Sequence, residues 1–233
     1  MPRLSLTAAL ALAASAASAA AAQGAPPVAD RQRLAVLLAP HTAVPRPSMD
    51  ATPGERVAAH RPLTGARTVL PVLAELRRDG RDWLRVRLPG RPNGHAGWIR
   101  RHGTALTSTD RHIVVRTASR RVVLLRGGRS VGSFRAIVGT PSTPTPVGRL
   151  FVEESLRLGP ADAGRPFALA LSARSNVFQE FAGGPGQIAL HGRGGVGGIL
   201  GTAASHGCVR LGDRALRRVV AHSGPGVPVT IVR

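Results

Sequence analysis

The stretch "ALHGRGGVGGILGTAASHGCVRLGD", residues 189–213, decides how the chain is interpreted. It carries His191 and His206, two of the eight histidines, and Cys208, the only cysteine in 233 residues. The Gly-rich run between the histidines is flexible enough to bring either imidazole beside the thiol. Because a free thiol is mostly protonated at neutral pH, an imidazole that takes its proton would activate it. The stretch predicts a cysteine nucleophile with a histidine base, and spacing alone leaves the choice of histidine open.

Two other interpretations of these residues remain open at this point. A lone cysteine is often a small buried apolar residue. Two histidines and one cysteine can also hold a catalytic zinc ion, although the chain lacks a second cysteine in a Cys-x-x-Cys pair. No acidic residue stands near either histidine before Asp213, so a backbone carbonyl or a hydroxyl would have to orient the base. Gly207 allows a sharp turn whose amide groups can hold an oxyanion.

The spacing of this motif, together with two upstream segments, carries a family resemblance. These segments are "GTPSTPTPVGRLFV", residues 139–152, and "EFAGGPGQIALHG", residues 180–192. Over residues 111–233 the chain resembles the L,D-transpeptidase catalytic domain, also called the YkuD-type fold. The resemblance implies a β-sandwich. Arg210 stands where many members of that family have Asn or Arg.

The resemblance implies a catalytic role for three residues. Cys208 would be the nucleophile that accepts the acyl group, and His191 would be the general base. The backbone carbonyl of Gly192 would orient the ring of His191. The resemblance thus favours His191 over His206 as the base, which spacing alone does not decide.

The same resemblance implies a binding role for the residues around the thiol. Backbone amides of His206 and Gly207, with that of Cys208, would form the oxyanion-hole region. Ser205 and Arg210 would bind substrate, and a guanidinium suits a carboxylate of the peptide stem. The loop 155–166 and the Gly-rich run after His191 would border the groove.

The implied reaction joins two peptidoglycan stem peptides without a metal or an organic cofactor. Cys208 attacks the carbonyl of the third residue of a tetrapeptide stem, and the terminal D-alanine leaves. The thioester then passes to the side-chain amine of a neighbouring stem, or to water if the protein is an L,D-carboxypeptidase. β-Lactams of the carbapenem class would acylate the same thiol. A cysteine peptidase that only trims stems and a non-catalytic wall-binding protein remain as alternatives.

The rest of this region reads as mainly β with one or two short helices. Runs of β-branched residues from Arg111 onward, "FALALSA" and "GQIALHG" predict strands. Gly127-Gly128 predicts a turn between two of them. Asp213 is expected to cap one helix over "RALRRVVAH", which Gly224-Pro225 ends.

Residues 67–107 predict a small β domain in front of the catalytic one. "RRDGRD" is a hairpin signal at Asp79-Gly80, "WLRVRL" alternates apolar and charged residues, and "PGRPNG" is a second turn. The run "DGRDWLRVRL…HAGWI" resembles the bacterial Src-homology-type barrel that is attached to many wall enzymes. The alternative is a β-hairpin extension of the next domain.

The N-terminal part predicts export followed by a linker. Residues 1–22 combine Arg3, an apolar stretch and a small-residue site at Ala20–Ala22, which is typical of a signal peptide, although a membrane anchor is the alternative. Residues 23–66 are rich in Ala, Pro and Arg and predict a linker with at most one helical turn near 33–38. We therefore expect the protein in the periplasm, the cell wall or outside the cell.

The charge of the chain favours an anionic partner. All 32 basic residues are Arg, and the formal net charge is +20. The arginines are scattered and aromatic residues are scarce, so there is no stacking surface for nucleic acid. We expect affinity for the anionic cell wall and no nucleic-acid partner, although solubility and codon bias are a simpler explanation.

Overall fold

The structure is a computed structural model that describes residues 29–181 and 183–233. The predicted signal peptide lies outside these residues, as does the first part of the predicted linker. The described part of the chain contains no helix with the length and apolarity that a membrane crossing requires.

The N-terminal region forms a sheet of its own. Its strands are β1 (Gln32–Leu37), β2 (His41–Thr42), β3 (Arg56–Val57), β4 (Val69–Arg78), β5 (Arg81–Arg87), β6 (Ala96–Arg100) and β7 (Thr104–Thr109). Five of them pair in the order β6-β5-β4-β1-β7, while β2 and β3 form a two-stranded sheet. The predicted turn between β4 and β5 is confirmed, with Asp79 and Gly80 both at positive φ. We call this region the small domain; its likeness to a Src-homology-type barrel stays a prediction.

The predicted linker over residues 23–66 is wrong where the structure describes it. Strand β1 lies inside the small sheet, paired antiparallel to β4 and to β7, and no helical turn forms at 33–38. Leu34, Ala35 and Leu37 are buried, so the strand supplies part of the apolar core. Its partners lie far along the chain, which hides the pairing from a local pattern. The small domain therefore begins well before residue 67.

The second region carries the remaining strands and one helix. The strands are β8 (Arg111–Arg116), β9 (Arg121–Arg126), β10 (Arg129–Gly139), β11 (Gly148–Arg157), β12 (Phe167–Arg174), β13 (Gln187–His191), β14 (Ala203–Ser205), β15 (Val209–Leu211) and β16 (Pro228–Val232). They pair in the order β14-β10-β15-β13-β12-β11-β16-β8-β9, and β10 also pairs with β9. The sheet thus closes on itself around one apolar core, which confirms a mainly β fold.

Helix α1 (Asp213–Ala221) packs its apolar side on this core through Leu216 and Val219. The expectation that Asp213 caps the helix is wrong. Gly212 is the N-cap and makes no side-chain hydrogen bond, while Asp213 lies in the first turn. An acidic side chain there still interacts favourably with the helix dipole.

The small domain packs against the nine-stranded sheet of the second region through buried charges. Glu153 and Glu154, on β11, are each 1% exposed. Glu153 is paired with Arg61 of the small domain and with Arg174 of β12, whose Nη1 lies 2.9 Å from Oε1. Glu154 accepts hydrogen bonds from the amide and hydroxyl of Thr64, at 2.9 and 2.8 Å. We call these five residues the carboxylate contact. Phe151, also on β11, belongs to the core of the small domain, so the two regions share apolar packing too.

Candidate active site

Two adjacent parallel strands bring the predicted catalytic residues together. Strand β13 ends at His191, and its parallel partner β15 starts directly after Cys208, with Leu190 opposite Val209. Cys208, His191, His206 and Arg210 line one pocket of about 360 Å³. Ala163 of the 155–166 loop and Val196 of the Gly-rich run line it as well.

The imidazole of His191 is held in one tautomer. Its Nδ1 lies 2.8 Å from the backbone oxygen of Gly192. Because a carbonyl only accepts hydrogen bonds, Nδ1 carries the proton and Nε2 keeps its lone pair. Burial lowers the pKa of His191, the bond to Gly192 opposes this shift, and the charge of Arg210 lowers the pKa further. His191 is therefore a neutral base at neutral pH.

The thiol of Cys208 is held as a thiol. The residue is partly exposed to the pocket, and its Sγ lies 3.9 Å from the backbone oxygen of Gln187 on β13. Burial raises the pKa of Cys208, while a backbone hydrogen bond from Ala189 and the charge of Arg210 act in the opposite direction. With a raised thiol pKa and a lowered imidazole pKa, both groups of the pair are neutral at rest.

The segment between the second histidine and the thiol is a tight turn held by Ser205. Its Oγ donates to the backbone oxygen of Cys208 at 2.5 Å and accepts from the amide of Gly207 at 3.2 Å. Gly207 has a φ of 118°, which an L side chain rarely adopts. The amide of Gly207 is thus engaged within its own turn.

The structure does not place Ser205 in the pocket, and its predicted contact with substrate stays a prediction. Ser205 is only 1% exposed and does not line the pocket, because its hydroxyl is used inside the turn. Its backbone oxygen accepts from the amide of Thr140 at 3.0 Å and from Thr143 Oγ1 at 3.1 Å. Ser205 therefore fixes the position of Cys208 and ties it to the Pro-rich segment after β10.

Arg210 lies beside the catalytic pair, opposite His191 in the paired strands. Its Nη1 donates to the backbone oxygen of Val196 at 3.2 Å, which anchors the Gly-rich run. Its buried Nε has no hydrogen-bond partner among the described residues. The side chain also lines the pocket, and a guanidinium there is suited to bind a carboxylate.

Sequence reasoning missed three residues of the site. Phe178 and Phe181 line the pocket and pack against His206, with ring centroids 6.1 and 5.9 Å from its imidazole. Gly164 lies so close to His191 that a Cβ there would be 2.5 Å from Nδ1. Phe181 lies within "EFAGGPGQIALHG", a segment that carries the family resemblance, whereas no motif marks Phe178. Gly164 shows no signal beyond its place in the 155–166 loop.

No group of three or more His, Cys, Asp or Glu side chains that could hold a metal ion occurs in residues 29–181 and 183–233. The zinc interpretation therefore finds no cluster in the described part of the chain. His191 and Cys208 share the pocket with an arginine, whose charge disfavours a bound cation.

The solved structures that the chain matches include three mycobacterial L,D-transpeptidases. An L,D-transpeptidase from Mycobacterium tuberculosis H37Rv is 15% identical, with a TM-score of 0.46, over 71% of this chain and 90% of that one. L,D-transpeptidase 3 of M. tuberculosis, solved with a faropenem-derived adduct, is 14% identical, with a TM-score of 0.45, over 71% and 91%. The M. smegmatis L,D-transpeptidase is 15% identical, with a TM-score of 0.41, over 65% and 90%.

No curated protein matches the sequence. The family model YkuD, described as the L,D-transpeptidase catalytic domain, matches residues 110–231, which is just over half of the chain. The matched range contains the whole of the closed sheet and the pocket with its histidines and cysteine. The chain therefore belongs to the L,D-transpeptidase family with a YkuD catalytic domain.

Proposed function

We propose that the protein is a peptidoglycan L,D-transpeptidase in which Cys208 is the nucleophile and His191 the general base. One observation carries this assignment. The Gly192 carbonyl holds the proton of His191 on Nδ1, so Nε2 is free to take a proton inside the pocket that also contains the thiol. His206 packs against two phenylalanine rings instead, which suits a wall of the pocket.

The chemistry begins with proton transfer, because both groups are neutral at rest. The Cys208 Sγ–H proton moves to His191 Nε2 as Sγ bonds to the carbonyl carbon of the third stem residue. Backbone amides around His206 and Cys208 stabilise the oxyanion, and the amide of Gly207 joins them if it leaves Ser205 Oγ. The C–N bond to D-alanine then breaks, and the protonated His191 returns the proton to the leaving amine.

The second half of the reaction reverses these roles. The side-chain amine of a neighbouring stem attacks the thioester carbon, and His191 takes a proton from it. The C–S bond breaks, and the sulfur recovers its proton. Because the described residues that line the pocket include no acidic side chain, a stem carboxylate beside Arg210 fits this pocket better than an ammonium group. The pocket is thus the proposed site of the acyl donor.

The proposal has consequences for ligands and location. The faropenem-derived adduct of the M. tuberculosis L,D-transpeptidase 3 named above supports β-lactams as acylating agents of Cys208. The family implies stem peptides of the wall as substrates, which also agrees with a net charge of +20 and an anionic wall. We propose that the protein acts on the outer side of the cytoplasmic membrane.

Intact-protein mass spectrometry after incubation with a carbapenem tests the proposal. We expect one covalent adduct on the wild type and none on Cys208→Ala. His191→Gln should slow acylation by about 10²–10⁴-fold, the usual contribution of a general base, and His206→Gln by much less. An unmodified wild type that is demonstrably folded would refute the proposal, and equal rates in the two histidine variants would refute the choice of base.

A product assay then separates transfer from hydrolysis. Tetrapeptide stems are incubated with and without an excess of a second stem that carries the free amine. A transpeptidase yields a dimer whose amount rises with the amine, and a carboxypeptidase yields only the tripeptide. A tripeptide with no dimer at any amine concentration would replace the proposed activity with hydrolysis.

A further inference from the structure

The turn between β5 and β6, residues 88–95 of the small domain, reaches the catalytic region beside the pocket. Arg91 donates hydrogen bonds to three backbone oxygens there: those of Phe178 at 2.8 Å, Ser175 at 2.9 Å and Pro185 at 3.2 Å. A planar guanidinium with five donors can serve three acceptors at once. One side chain of the small domain therefore contacts a single segment of the catalytic domain at three positions: residues 175, 178 and 185.

Asn93, in the same turn, extends this contact. Its side-chain amide accepts from the Arg174 amide at 2.7 Å and donates to the Arg174 oxygen at 2.7 Å. It also donates to Asn176 Oδ1 at 3.1 Å. The amide of Gly90 donates to the oxygen of Ser172 at 3.0 Å. We call the bonds of Arg91 and Asn93 the carbonyl contact.

The segment that this contact holds is the pocket loop, residues 175–186 between β12 and β13. It carries Phe178 and Phe181, whose rings lie 5.5 Å apart and form the wall against His206. Within the loop, Ser175 Oγ accepts from the amides of Val177 and Phe178. Among the described residues, the hydrogen bonds that 176–186 receives from outside the loop come from Arg91 and Asn93.

The loop is also tightly folded at the point where Arg91 binds. A Cβ on Gly186 would lie 2.3 Å from the Phe178 oxygen and 3.3 Å from Arg91 Nη2. The Phe178 oxygen is therefore enclosed between Gly186 and the guanidinium. Loss of that donor removes the links that join Phe178 and Pro185 to Ser175 through the guanidinium, while the direct bond from the Ser175 amide to the Gly186 oxygen, 2.7 Å long, remains.

We infer that Arg91 is a positioning residue for the active site, through which the small domain sets the wall of the acyl-donor pocket. This inference rests on the proposed function for its substrate, and on the contacts above for its mechanism. Arg91 touches no reacting atom; it fixes the backbone that carries Phe178. Because the bonds to Phe178 and Pro185 are exposed, water can replace the guanidinium at those two oxygens at little cost in stability, so the loss falls on the shape of the pocket.

The test compares Arg91→Ala and Arg91→Lys with Arg81→Ala, an exposed arginine of the same domain. We expect Arg91→Ala to lower the second-order rate of acylation by a carbapenem roughly 10- to 100-fold, as misplaced binding groups do, mainly through a raised half-saturation concentration. Arg91→Lys should lie between, because an ammonium cannot bridge three carbonyls, and Arg81→Ala should match the wild type.

Two further readouts keep the inference falsifiable without acylation. Amide hydrogen exchange over residues 176–186 should rise at least several-fold in Arg91→Ala, while the unfolding temperature and exchange in the core strands stay unchanged. Alkylation of Cys208 by iodoacetamide should quicken as the wall opens. A wild type that resists carbapenems would overturn the proposed function alone. Unchanged exchange and alkylation in Arg91→Ala would overturn the positioning role.

Discussion

The small domain meets the catalytic sheet at two contacts of opposite character. The carboxylate contact buries Glu153 and Glu154 against Arg61, Thr64 and Arg174, and these carboxylates have almost no access to water. The carbonyl contact joins Arg91 and Asn93 to neutral backbone oxygens and an amide at the edge of the pocket. The difference indicates a division of roles: the first contact sets whether the two regions stay together, and the second sets the shape of the site.

The two contacts share one residue. Arg174 bonds Glu153 through its side chain and Asn93 through its backbone. It ends β12, directly before the pocket loop. Burial lowers the pKa of Arg174, and likewise that of Arg61, where the Glu154 carboxylate opposes the shift. The ion pair in the carboxylate contact and the position of the pocket loop in the carbonyl contact therefore both depend on Arg174, at the end of β12.

The largest effect is expected from Glu153→Ala. It removes the carboxylate that Arg61 and Arg174 share and leaves Arg61 only the more distant Glu154, at 3.9 Å, which costs about 3–5 kcal/mol of unfolding free energy. The matched control is Glu75→Ala, because Glu75 pairs with Arg33 at the surface and such pairs contribute about 0–1 kcal/mol. Urea denaturation followed by circular dichroism measures both. Equal losses in the two variants would contradict the assigned role of the carboxylate contact.

A smaller effect on the free energy of unfolding is expected from pH. It depends on His112, which lies at a third place between the two sheets. His112 lines a cavity of about 110 Å³ between the sheets, and its Nε2 lies 2.8 Å from Thr230 Oγ1. Burial, and then the charge of Arg149, lower the pKa of His112 to about 4 from its ordinary 6.5. Between these values the unfolded chain binds more protons than the folded one, so stability rises with pH through this window and is lost as pH falls from 6.5 toward 4.

The loss on acidification should amount to about 2–3 kcal/mol for such a partly buried imidazole. His112→Gln keeps a side-chain amide near Thr230 but removes the titration. Urea midpoints at several pH values across the window should fall more steeply for the wild type than for the variant. Parallel curves would show that this junction tolerates a charged His112.

The smallest effect tests whether the two contacts are coupled. Asn93→Ala and Glu153→Gln both act on Arg174, so their effects on unfolding should be non-additive by about 0.5–1 kcal/mol. Asn93→Ala combined with Glu75→Gln should be additive, because those residues share no partner among the described contacts. If Asn93→Ala and Glu153→Gln are additive, the carboxylate contact and the carbonyl contact are energetically independent, and Arg174 does not couple them.

Local patterns predicted the parts of the fold that depend on neighbours in sequence. The turns at Asp79-Gly80 and Gly127-Gly128 have the expected positive φ values, and the strand ending at His191 and the helix after Gly212 form where expected. The partners of β1 lie far along the chain, so no local pattern shows the pairing. The Pro-rich residues around β1 favoured a linker instead. Ser205 stands inside the motif, yet only the turn geometry shows that its hydroxyl is used by Cys208 and Gly207.

The Phe178 wall of the pocket could not be predicted from the sequence, because it too depends on a residue far away along the chain. The placement of Phe178 depends on Arg91, which is 87 residues away and belongs to another sheet. His191 ends β13 and Cys208 directly precedes its neighbour β15, so the two residues meet across the Gly-rich connection between them. A site built on neighbouring strands is visible in a motif, whereas a loop positioned by a separate domain is not.

The raised pKa of Cys208 has a consequence for the lifetime of the enzyme. Peroxides oxidise thiolates far faster than thiols, and exposure increases the rate further. Burial keeps the sulfur of Cys208 protonated between turnovers, in a pocket of about 360 Å³. The chain has no second cysteine that could form a reversible disulfide with it, so overoxidation would be permanent. The burial that keeps the Cys208 thiol protonated thus also protects it against oxidants.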